Sequence, residues 1–349
     1  MKVTVIGGSG HIGSFLIPRL VRAGHEVTNI SRGTSRPYTD TPEWQQVRQV
    51  TADREAEDRD GRFAERVSAL KPDAVVDLVC FTLESAASLV HRLRGEVGHL
   101  LLCGSILRYG QSLKLPIREG SDSAAEPFGE YGVQKHRIAV MLQEETAGGG
   151  LATTSLHPGH IVGPGWHPIG PLGNLDPAVW QTISAGQPLR IPGSGAELMH
   201  HVHADDVAQA FEKAIAQREA AAGEDFNIVA PTALTVRGYA DIAAAWFGHA
   251  AVLETVTWDR FRENTSREYA ESSWGHLYRS HCFSIEKATS LLGYAPRYEP
   301  EQAVFESIQW LVEQKRLHVA RPLGVPAGWT QRAGHKISTP NGCQSRKHA

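Results

Sequence analysis

The sequence predicts an α/β fold in which a doubly wound parallel sheet is joined to a smaller C-terminal substrate-binding lobe. Residues 2–6 form a short apolar run rich in β-branched residues, which leads directly into a glycine-rich turn. Strand-like and helix-like segments then alternate to about residue 156. The segments 74–79 and 99–103 are almost continuously apolar, which is typical of central parallel strands covered by helices on both faces.

The alternation assigns the segments in the first half of the chain. Strands are predicted at 2–6, 26–30, 45–50, 74–79, 99–103 and 152–156. Helices are predicted after the glycine turn and at 63–70, 83–93 and 131–146. Such β/α repeats indicate one parallel sheet.

A change of composition after about residue 160 predicts the second lobe. Glycines and prolines crowd residues 163–173, which indicates irregular loop. Beyond them, helices are predicted at 175–185, 206–217, 236–247 and 284–292, and strands at 189–191, 201–203 and 225–229. We therefore expect a nucleotide-binding domain at 1–165, a substrate-binding lobe at 166–320 and a flexible tail at 331–349, where the sequence is polar and lacks periodicity.

Composition and charge exclude several classes of protein. The 349 residues carry 35 Lys and Arg against 38 Asp and Glu, a formal charge of -3, and no dense basic run, so we expect no nucleic-acid partner. The four cysteines lack the paired spacing of a zinc site, and no stretch is apolar over about 18 residues. We therefore expect no metal, no membrane contact and a cytoplasmic location.

The glycine-rich turn predicts a dinucleotide-binding site. Gly7, Gly10 and Gly13 form the pattern G-x-x-G-x-x-G between the first strand and the first helix. In such a turn one glycine permits the bend, another lets the backbone approach a phosphate, and the third packs helix on strand. Free N–H groups at the helix start then face the diphosphate. The residues assigned to this part of the site are Gly7, Ser9, Gly10, His11, Ile12 and Gly13.

The end of the second strand bears on the choice between NAD and NADP. NAD-preferring proteins usually place an acidic residue there for the ribose hydroxyls. The stretch 29–32, ending in Ser31 and Arg32, offers no carboxylate but an arginine that could meet a 2′-phosphate. This favours NADP over NAD. The alternative is that Arg32 is only a solvated loop residue. Asp53, next to Arg54, is expected near the adenine, although it fits the cap of a turn equally well.

A catalytic pair is predicted from Tyr131 and Lys135. Four residues apart, they lie on one face of the predicted helix, one turn from each other. A nearby cation favours the phenolate form of tyrosine, which lets the side chain exchange a proton with a substrate oxygen at neutral pH. Ser105 follows the strand 99–103, at the end of the sheet where ligands bind, and its hydroxyl is expected to reach the reacting carbonyl.

Together these motifs resemble those of the extended short-chain dehydrogenases/reductases, also called the NAD-dependent epimerase/dehydratase family, which bind the cofactor on a Rossmann fold. The resemblance spans about residues 2–315. It rests on the glycine turn, on the Tyr131/Lys135 pair, and on the stretches 101–105 with 109–110, 157–159 with 161–164, and 202–207.

The resemblance implies an NAD(P)-dependent oxidoreductase acting on a small-molecule substrate. In this reading Tyr131 is the general acid/base, Lys135 lowers its pKa and holds the nicotinamide ribose, and Ser105 polarises the substrate carbonyl. A homodimer is the expectation at family level. The residues that would lie along the cofactor are Leu78 and Val79, with Pro158 and Gly159 beside its nicotinamide.

One departure from the family bears on the substrate. In members that act on nucleotide-diphosphate sugars, an arginine after a G-x-G stretch clamps the diphosphate, but here Met199 and His200 stand at the corresponding places. Epimerisation needs that anchor while the keto intermediate turns over in the pocket. We therefore favour simple hydride transfer to or from a small carbonyl or hydroxyl compound, although Arg190 or Arg279 could act as a substitute anchor.

Two alternatives stay open. One is a sugar or nucleotide-sugar epimerase or dehydratase that uses the same three residues and retains its NAD. The other is a non-catalytic nucleotide-sensing or RNA-binding member of the family. The presence of Ser105, Tyr131 and Lys135 argues against lost catalysis, and the slightly acidic composition argues against RNA.

Histidines and one acidic pair complete the candidates. His200 and His201 are neighbours on a predicted strand, so their side chains point to opposite faces, and only part of the histidine set can converge. We expect substrate contacts or ordinary surface histidines rather than a metal site. Asp205 and Asp206 are expected to cap a helix rather than to form a catalytic dyad. The histidines in segments near the predicted pocket are His157, His160, His167, His200, His201 and His203.

Overall fold

A parallel sheet forms the centre of the computed structural model, which describes residues 1–39, 41–120 and 125–326. From one edge of the sheet to the other, its strands are formed by residues 225–228, 153–158, 99–103, 74–77, 2–6, 26–31 and 48–51. The predicted tail at 331–349 lies outside the described residues. In chain order the strands are β1 (Lys2–Ile6), β2 (Glu26–Ser31), β3 (Arg48–Thr51), β4 (Ala74–Asp77), β5 (His99–Cys103), β6 (Thr153–Pro158), β7 (His160–Val162), β8 (Leu189–Pro192), β9 (Leu198–Met199), β10 (His201–His203), β11 (Asp225–Ile228), β12 (Leu234–Thr235) and β13 (Leu253–Val256).

The sheet is wound in two directions from β1. Strands β2 and β3 lie on one side, and β4, β5, β6 and β11 lie on the other, with every pair in the sheet parallel. Ile6 at the end of β1 is in register with Ile30 of β2 and with Asp77 of β4. The predicted doubly wound α/β fold is therefore confirmed, and the point where the winding reverses opens a crevice between β1 and β4.

Helices cover the sheet and build the second lobe. Shorter 3-10 helices occupy Pro42–Gln46 and Ile106–Arg108, and Ala288–Leu292 form a π-helix. The α-helices are α1 (His11–Arg22), α2 (Arg54–Arg59), α3 (Phe63–Ala69), α4 (Leu83–Leu93), α5 (Glu130–Ala147), α6 (Pro177–Ser184), α7 (Ala204–Ala216), α8 (Arg218–Ala221), α9 (Val236–Ala245), α10 (Trp258–Glu263), α11 (Arg267–Leu277) and α12 (Pro300–Glu313).

Two predicted elements differ from the structure. The strand predicted at 45–50 begins only at Arg48, because Pro42 sits at the first position of a 3-10 helix that runs to Gln46. The helix predicted at 284–292 is largely the π-helix Ala288–Leu292, which ends at Gly293 in the left-handed region with φ +68°.

Strand β11 returns the chain from the second lobe to the main sheet. Sequence reasoning assigned 225–229 to that lobe, but β11 pairs with β6, with Asp225 in register with Ser155. Helix α7 likewise packs on α1 of the nucleotide-binding part: Arg19 of α1 binds Asp205 and Glu212 of α7. Residues 166–320 therefore contribute both to the second lobe and to the edge of the sheet.

Two apolar cores hold the fold together. Leu16, Leu101 and Phe211 are fully buried in the core between the sheet, α1 and α7, whereas Tyr239 and Trp310 anchor a separate core in the second lobe. Two-stranded pairs, β7 with β10, β8 with β13 and β9 with β12, complete the second half of the chain. No helix in the described ranges is long and apolar enough to cross a membrane.

Candidate active site

The glycine-rich turn is packed so closely that side chains do not fit. Gly7 has φ +83°, and a Cβ there would lie 2.6 Å from Cγ1 of Val79. A Cβ on Gly13 would lie 2.2 Å from the carbonyl oxygen of Gly8, so α1 rests directly on the turn. Helix α1 begins at His11, and the N–H groups of its first turn are available to a diphosphate. The turn therefore fits the phosphates of a dinucleotide.

Side chains around the turn fix its shape. Asn29 of β2 donates from Nδ2 to Ser9 Oγ at 3.0 Å and to Gln49 Oε1 at 2.8 Å, a role that sequence reasoning did not foresee. Burial, and next the neighbouring His203, lowers the pKa of His11 to about 3. The His11 ring stacks on Trp166 at 5.3 Å between centroids. A neutral imidazole therefore lies at the start of α1.

The adenosine end of the predicted site lies at the carboxyl ends of β2 and β3. Arg32 is exposed and makes no hydrogen bond or ion pair with the described part of the chain. Ser31 Oγ accepts from the backbone of Gly33 at 3.3 Å. Asp53 caps α2, accepting from Ala56 N at 3.1 Å, which is the turn-capping role that the sequence also allowed. Arg32 and the hydroxyl hydrogen of Ser31 are therefore left to meet a ligand phosphate, whereas Asp53 is used as a cap.

Arg54 is engaged with the protein itself. Its Nη1 donates to both carboxylate oxygens of Asp77 at 2.6 Å, and its Nε donates to Ser85 Oγ at 3.1 Å. Asp77 ends β4, is fully buried, and accepts from Val79 N at 3.0 Å. Because Val79 packs beneath Gly7, this ion pair braces the segment expected to lie along the cofactor.

Lys135 reaches the carboxyl ends of two central strands. It is 2% exposed, and its Nζ donates to Cys80 O at 2.8 Å and to Cys103 O at 2.7 Å. An ammonium group has three N–H donors, so one remains for a ligand. Burial raises the pKa of both Cys80 and Cys103 to about 11, so the neighbouring thiols stay neutral. Lys135 is thus a fixed positive charge in the crevice.

Tyr131 and Ser105 lie on segments that touch each other. The Tyr131 side chain is 43% exposed, and its ring centroid is 5.6 Å from Lys135 Nζ. Ser105 caps the 3-10 helix Ile106–Arg108 by accepting from Leu107 N at 3.1 Å. A Cβ on Gly132 would lie 2.5 Å from Leu107 O, so the start of α5 packs against that short helix. The segments that carry Ser105, Tyr131 and Lys135 therefore pack together after β5, and a joint catalytic role of the three side chains stays a prediction.

The remaining cofactor candidates line the ends of β4 and β6. Leu78 donates its backbone N–H to Ile6 O at 3.0 Å, next to the glycine turn. Pro158 ends β6, and Gly159 donates to Ile228 O at 3.0 Å. A Cβ on Gly159 would lie 2.4 Å from His200 O, so only glycine fits there. Contact between these residues and a nicotinamide stays a prediction.

A buried polar network supports the segment after Ser105. Arg108 donates from Nη1 to His157 Nε2 at 2.7 Å and also to Asp225. Lys287 Nζ donates to Asp225 at 3.1 Å. Burial raises the pKa of Asp225, but the contact with His157 and the positive charges of Arg108 and Lys287 outweigh burial and hold that pKa well below the usual range. The network ties the Ser105 segment to β6 and β11.

The histidines near the crevice are buried rather than on the surface. His157, His200, His201 and His203 are each at most 1% exposed, which contradicts the alternative of ordinary surface histidines. His200 binds Ala230 O and Phe283 N, whereas His201 binds Ile169 O on the other face, as strand alternation predicts. In the described ranges no group of three or more His, Cys, Asp and Glu is arranged to hold a metal ion.

The cap of α7 is a histidine and not an aspartate. His203 is the N-cap, and its Nδ1 accepts from Asp205 N at 3.0 Å. Asp205 pairs instead with Arg19, and Asp206 accepts from the backbone of Arg297 and Tyr298. The prediction that the acidic pair caps the helix is therefore wrong. The two carboxylates instead tie the start of α7 to α1 and to residues 297–298.

Aromatic rings and one unpaired arginine surround the mouth of the crevice. Phe81 approaches Tyr131 at 6.5 Å between ring centroids, and Tyr278 approaches Phe128 at 6.1 Å and Trp274 at 4.8 Å. Arg279 lies 3.5 Å over the Phe128 ring and donates to Phe128 O at 2.9 Å. No carboxylate among the described residues pairs with Arg279, and burial lowers its pKa to about 10. Sequence reasoning missed this aromatic wall, although Phe128 stands only three residues before Tyr131.

Known proteins match this chain over most of its length. A family model described as the NAD dependent epimerase/dehydratase family matches residues 3–229. The 2'-dehydrokanamycin reductase of Streptomyces kanamyceticus is 30% identical over 221 residues, which are 63% of this chain and 59% of that protein. The chloroplast stem-loop binding protein of 41 kDa b of Arabidopsis thaliana is 25% identical over 315 residues, or 88% of this chain and 78% of that protein.

A solved structure gives the same fold. The UDP-glucose 4-epimerase of Thermotoga maritima, solved with UDP-glucose, superposes with a TM-score of 0.67 at 20% identity and covers 90% of this chain and 100% of its own. The family match includes the glycine turn and residues 105, 131 and 135. The resemblance to NAD(P)-dependent oxidoreductases of this type is therefore confirmed, and the chain belongs to the NAD-dependent epimerase/dehydratase family.

Proposed function

We propose that this protein is an NAD(P)-dependent oxidoreductase that interconverts a carbonyl and a hydroxyl group on a small ring-shaped substrate. The observation that carries the proposal is the position of Lys135. Its ammonium is held by the carbonyls of Cys80, in the segment after β4, and of Cys103, at the end of β5, and retains one donor for a ligand. The exposed residue Tyr131 lies one helical turn away, with its ring centroid 5.6 Å from Nζ. The third N–H of this buried lysine is therefore available to a ligand in the crevice.

Tyr131, Lys135 and Ser105 suit the proton transfer that accompanies hydride transfer. A bound nicotinamide cofactor supplies or accepts the hydride at the substrate carbon. Tyr131 donates its phenolic proton to the carbonyl oxygen during reduction and recovers a proton from the alcohol during oxidation. The charge of Lys135 stabilises the negative charge left on the tyrosine oxygen, while Ser105 donates a hydrogen bond to the reacting oxygen. Reduction thus adds one hydride and one proton to the carbonyl group.

The crevice fits the cofactor that the family requires. The glycine turn leaves no room for side chains where the diphosphate would lie, and Lys135 offers its third N–H to the nicotinamide ribose. The choice of NADP over NAD rests on Arg32, which is exposed, has no partner in the described ranges and directly follows β2, whose carboxyl end (residues 29–31) offers no carboxylate. We expect Arg32→Ala to weaken NADPH binding about tenfold and NADH binding much less; equal losses would remove this preference.

The surroundings favour a reductase over an epimerase of nucleotide sugars. Met199 and His200 are buried, and both ring nitrogens of His200 are already bonded, so neither residue can anchor a diphosphate. Of the two substitute anchors, Arg190 pairs with Glu254 at 3.1 Å, whereas Arg279 has no carboxylate partner among the described residues and is the group that would serve the epimerase alternative. The exposed rings of Phe81, Tyr131 and Tyr278 suit a cyclic substrate that stacks on aromatic faces. The relative named 2'-dehydrokanamycin reductase supports reduction as the reaction type.

Two measurements on the purified protein test the proposal. The first is to denature a sample, identify any cofactor that is released, and titrate the native protein with NADPH and NADH by fluorescence. The second is a screen of cyclic ketones with NADPH. Exchangeable cofactor and ketone reduction would support the proposal, whereas tightly retained NAD without net turnover would favour the epimerase. Binding of stem-loop RNA without cofactor binding would favour the role named for the chloroplast relative.

A variant of Tyr131 tests the catalytic assignment. Tyr131→Phe should lower kcat at least about 1,000-fold, because the proton donor is lost, while the dissociation constant of the cofactor stays within about twofold. Tyr269→Phe, on α11 away from Lys135, is the matched control and should keep full activity. Retained turnover in Tyr131→Phe would overturn the assignment. A homodimer stays a prediction, which light scattering can check.

A further inference from the structure

A loop supplies one of the two carbonyls that hold the Lys135 ammonium group. Cys103 is the last residue of β5, so the strand fixes the direction of its carbonyl. Cys80 lies in residues 78–82, the loop between β4 and α4, where no strand or helix fixes the backbone. Because lysine has a flexible four-carbon stem, the place of its ammonium depends on the groups that accept its hydrogen bonds. The position of Lys135 Nζ therefore depends on the shape of this loop.

Arg54 is bonded to both flanks of that loop. It is the first residue of α2, and its Nη1 donates to both carboxylate oxygens of Asp77 at 2.6 Å, while its Nη2 donates to Ser85 Oγ at 2.9 Å. Asp77 is the last residue of β4, and Ser85 lies in the first turn of α4. The Phe63 ring limits movement of the arginine, with its centroid 5.1 Å from Arg54 Cζ. One planar guanidinium group thus spans the loop that carries Cys80.

The Asp77 carboxylate also shapes the loop from within. Its Oδ1 accepts from Val79 N at 3.0 Å, and Val79 directly precedes Cys80. Burial raises the pKa of the Cys80 thiol to about 11, and three charges act on it next. They belong to Asp77, Arg54 and Lys135, so the ion pair and the ammonium group are neighbours of the same residue.

We infer that Arg54 and Asp77 are positioning residues that hold the Lys135 ammonium group where it meets the nicotinamide ribose. The first hydrogen bond joins Arg54 to Asp77, and the second joins Asp77 to the backbone N–H of Val79. The carbonyl of the next residue, Cys80, accepts the third from Lys135 Nζ. Without the pair this carbonyl is free to turn away, and the remaining N–H of Lys135 is no longer aimed at a ligand. The contact with the ribose belongs to the proposed function, on which this inference rests.

Two ligands that differ at the nicotinamide end test the inference by binding alone. NADPH carries the nicotinamide ribose, whereas adenosine 2′,5′-bisphosphate keeps the adenosine end and lacks that ribose. The double variant Arg54→Met/Asp77→Ala removes both charges together, so no unpaired charge is left buried. It should weaken NADPH about tenfold, the effect of one lost hydrogen bond to a charged group, and adenosine 2′,5′-bisphosphate by less than about twofold. Equal losses for both ligands would refute the inference.

A double-mutant cycle shows whether the pair acts through Lys135. Lys135→Met alone should also weaken NADPH about tenfold. Adding it to Arg54→Met/Asp77→Ala should cause less than about twofold further loss, because the contact with the ribose is already gone. Losses that multiply would mean that the pair and Lys135 act independently. Arg54→Lys keeps the charge but cannot span the loop, so it should weaken NADPH about threefold, and it carries the test if the double variant does not fold. Full NADPH affinity in Arg54→Lys would contradict the spanning role.

The matched control is an ion pair of the same type outside this chain of hydrogen bonds. Arg66 of α3 donates from Nε and Nη2 to the Glu57 carboxylate of α2 at 2.7 and 2.8 Å. Within the described ranges no hydrogen bond joins either side chain to residues 78–82. Arg66→Met/Glu57→Ala should leave the affinity for both ligands unchanged. A selective loss of NADPH in this control would show that any loosening of α2 has the same effect, and the inference would fail.

Kinetics separate a positioning role from a merely structural one. In ketone reduction at saturating NADPH, Arg54→Met/Asp77→Ala should lower kcat about tenfold and leave KM for the ketone within about twofold. In alcohol oxidation the pH of half-maximal kcat should rise by about one unit, because the charge that favours the phenolate of Tyr131 is displaced. An unshifted pH profile would refute the action through Lys135.

The two kinds of measurement also separate this inference from the proposed function. A selective loss of NADPH in the double variant, without any ketone reduction by the wild-type protein, would support the positioning role and refute the oxidoreductase. Ketone reduction by the wild-type protein, with equal losses of both ligands in the double variant, would support the oxidoreductase and refute the positioning role. Wild-type protein that does not bind NADPH would refute both.

Discussion

Mild acid should unfold this protein, because it buries an unusual number of neutral imidazoles. Burial is the first cause that lowers the pKa of each ring, to about 3 for His11 and to about 4 for five others. In the unfolded chain each histidine titrates near 6.5. Below that pH the unfolded state takes up protons that the folded state refuses, so stability is full above about pH 6.5 and falls as the pH drops towards 4. The six rings are His11, His99, His157, His200, His201 and His281.

The size of the effect follows from the pKa differences. At pH 5.5 a ring that titrates near 4 when folded and near 6.5 when unfolded loses roughly 1.4 kcal/mol of stability. Six such rings lose roughly 8 kcal/mol, which is comparable with the whole stability of a typical domain. We therefore expect the midpoint of unfolding to drop sharply between pH 7.5 and pH 5.5.

Urea denaturation followed by circular dichroism at pH 7.5, 6.5 and 5.5 measures the loss directly. The slope of unfolding free energy against pH counts the protons taken up on unfolding and should correspond to several protons near pH 5.5. His99→Gln should remove about one proton from the slope, because burial lowers the pKa of His99 to about 4 in the folded chain. A slope of less than one proton in the wild-type protein would refute the reasoning.

Two further predictions concern packing beside the crevice. Gly13→Ala places a Cβ 2.2 Å from Gly8 O, so the turn must shift, and cofactor affinity measured by fluorescence titration should fall at least about tenfold in a protein that still folds; unchanged affinity would contradict the packing argument. Arg108→Met leaves Asp225 buried with one cation fewer and should cost about 3 kcal/mol in urea denaturation and lower kcat more than cofactor affinity; a cost under about 1 kcal/mol would show that Lys287 alone compensates the carboxylate.

Features that depend only on residues close together in the chain could be predicted from the sequence. The glycine turn and the Tyr131/Lys135 pair depend on spacings of three and four residues, and the fold puts both at the carboxyl ends of central strands. The opposite orientations of His200 and His201 followed from strand alternation alone. Here the local pattern determines the geometry, so no tertiary information was needed.

Features that join distant segments were not open to prediction. Arg108 and Asp225 stand 117 positions apart and meet only because β11 inserts beside β6 after the chain has passed through the first part of the second lobe. The partners of Asp205 and Asp206 come from α1 and from residues 297–298, so their place at the start of α7 misled sequence reasoning towards a cap. Strand order and helix packing decide such contacts, and periodicity carries no information about them.

The histidines packed around β7 and β10 link burial to acid sensitivity. Burial lowers the pKa of His201 to about 4, and burial and the surrounding histidines hold the pKa of His160 well below its usual range. Each of these rings takes up a proton more readily in the unfolded chain than in the folded one, so each contributes to the loss of stability in acid. Replacing His201 by phenylalanine should therefore reduce the loss of unfolding free energy between pH 7.5 and pH 5.5, measured in urea. An unchanged loss would show that the folded chain accepts a proton at this ring as readily as the unfolded chain does.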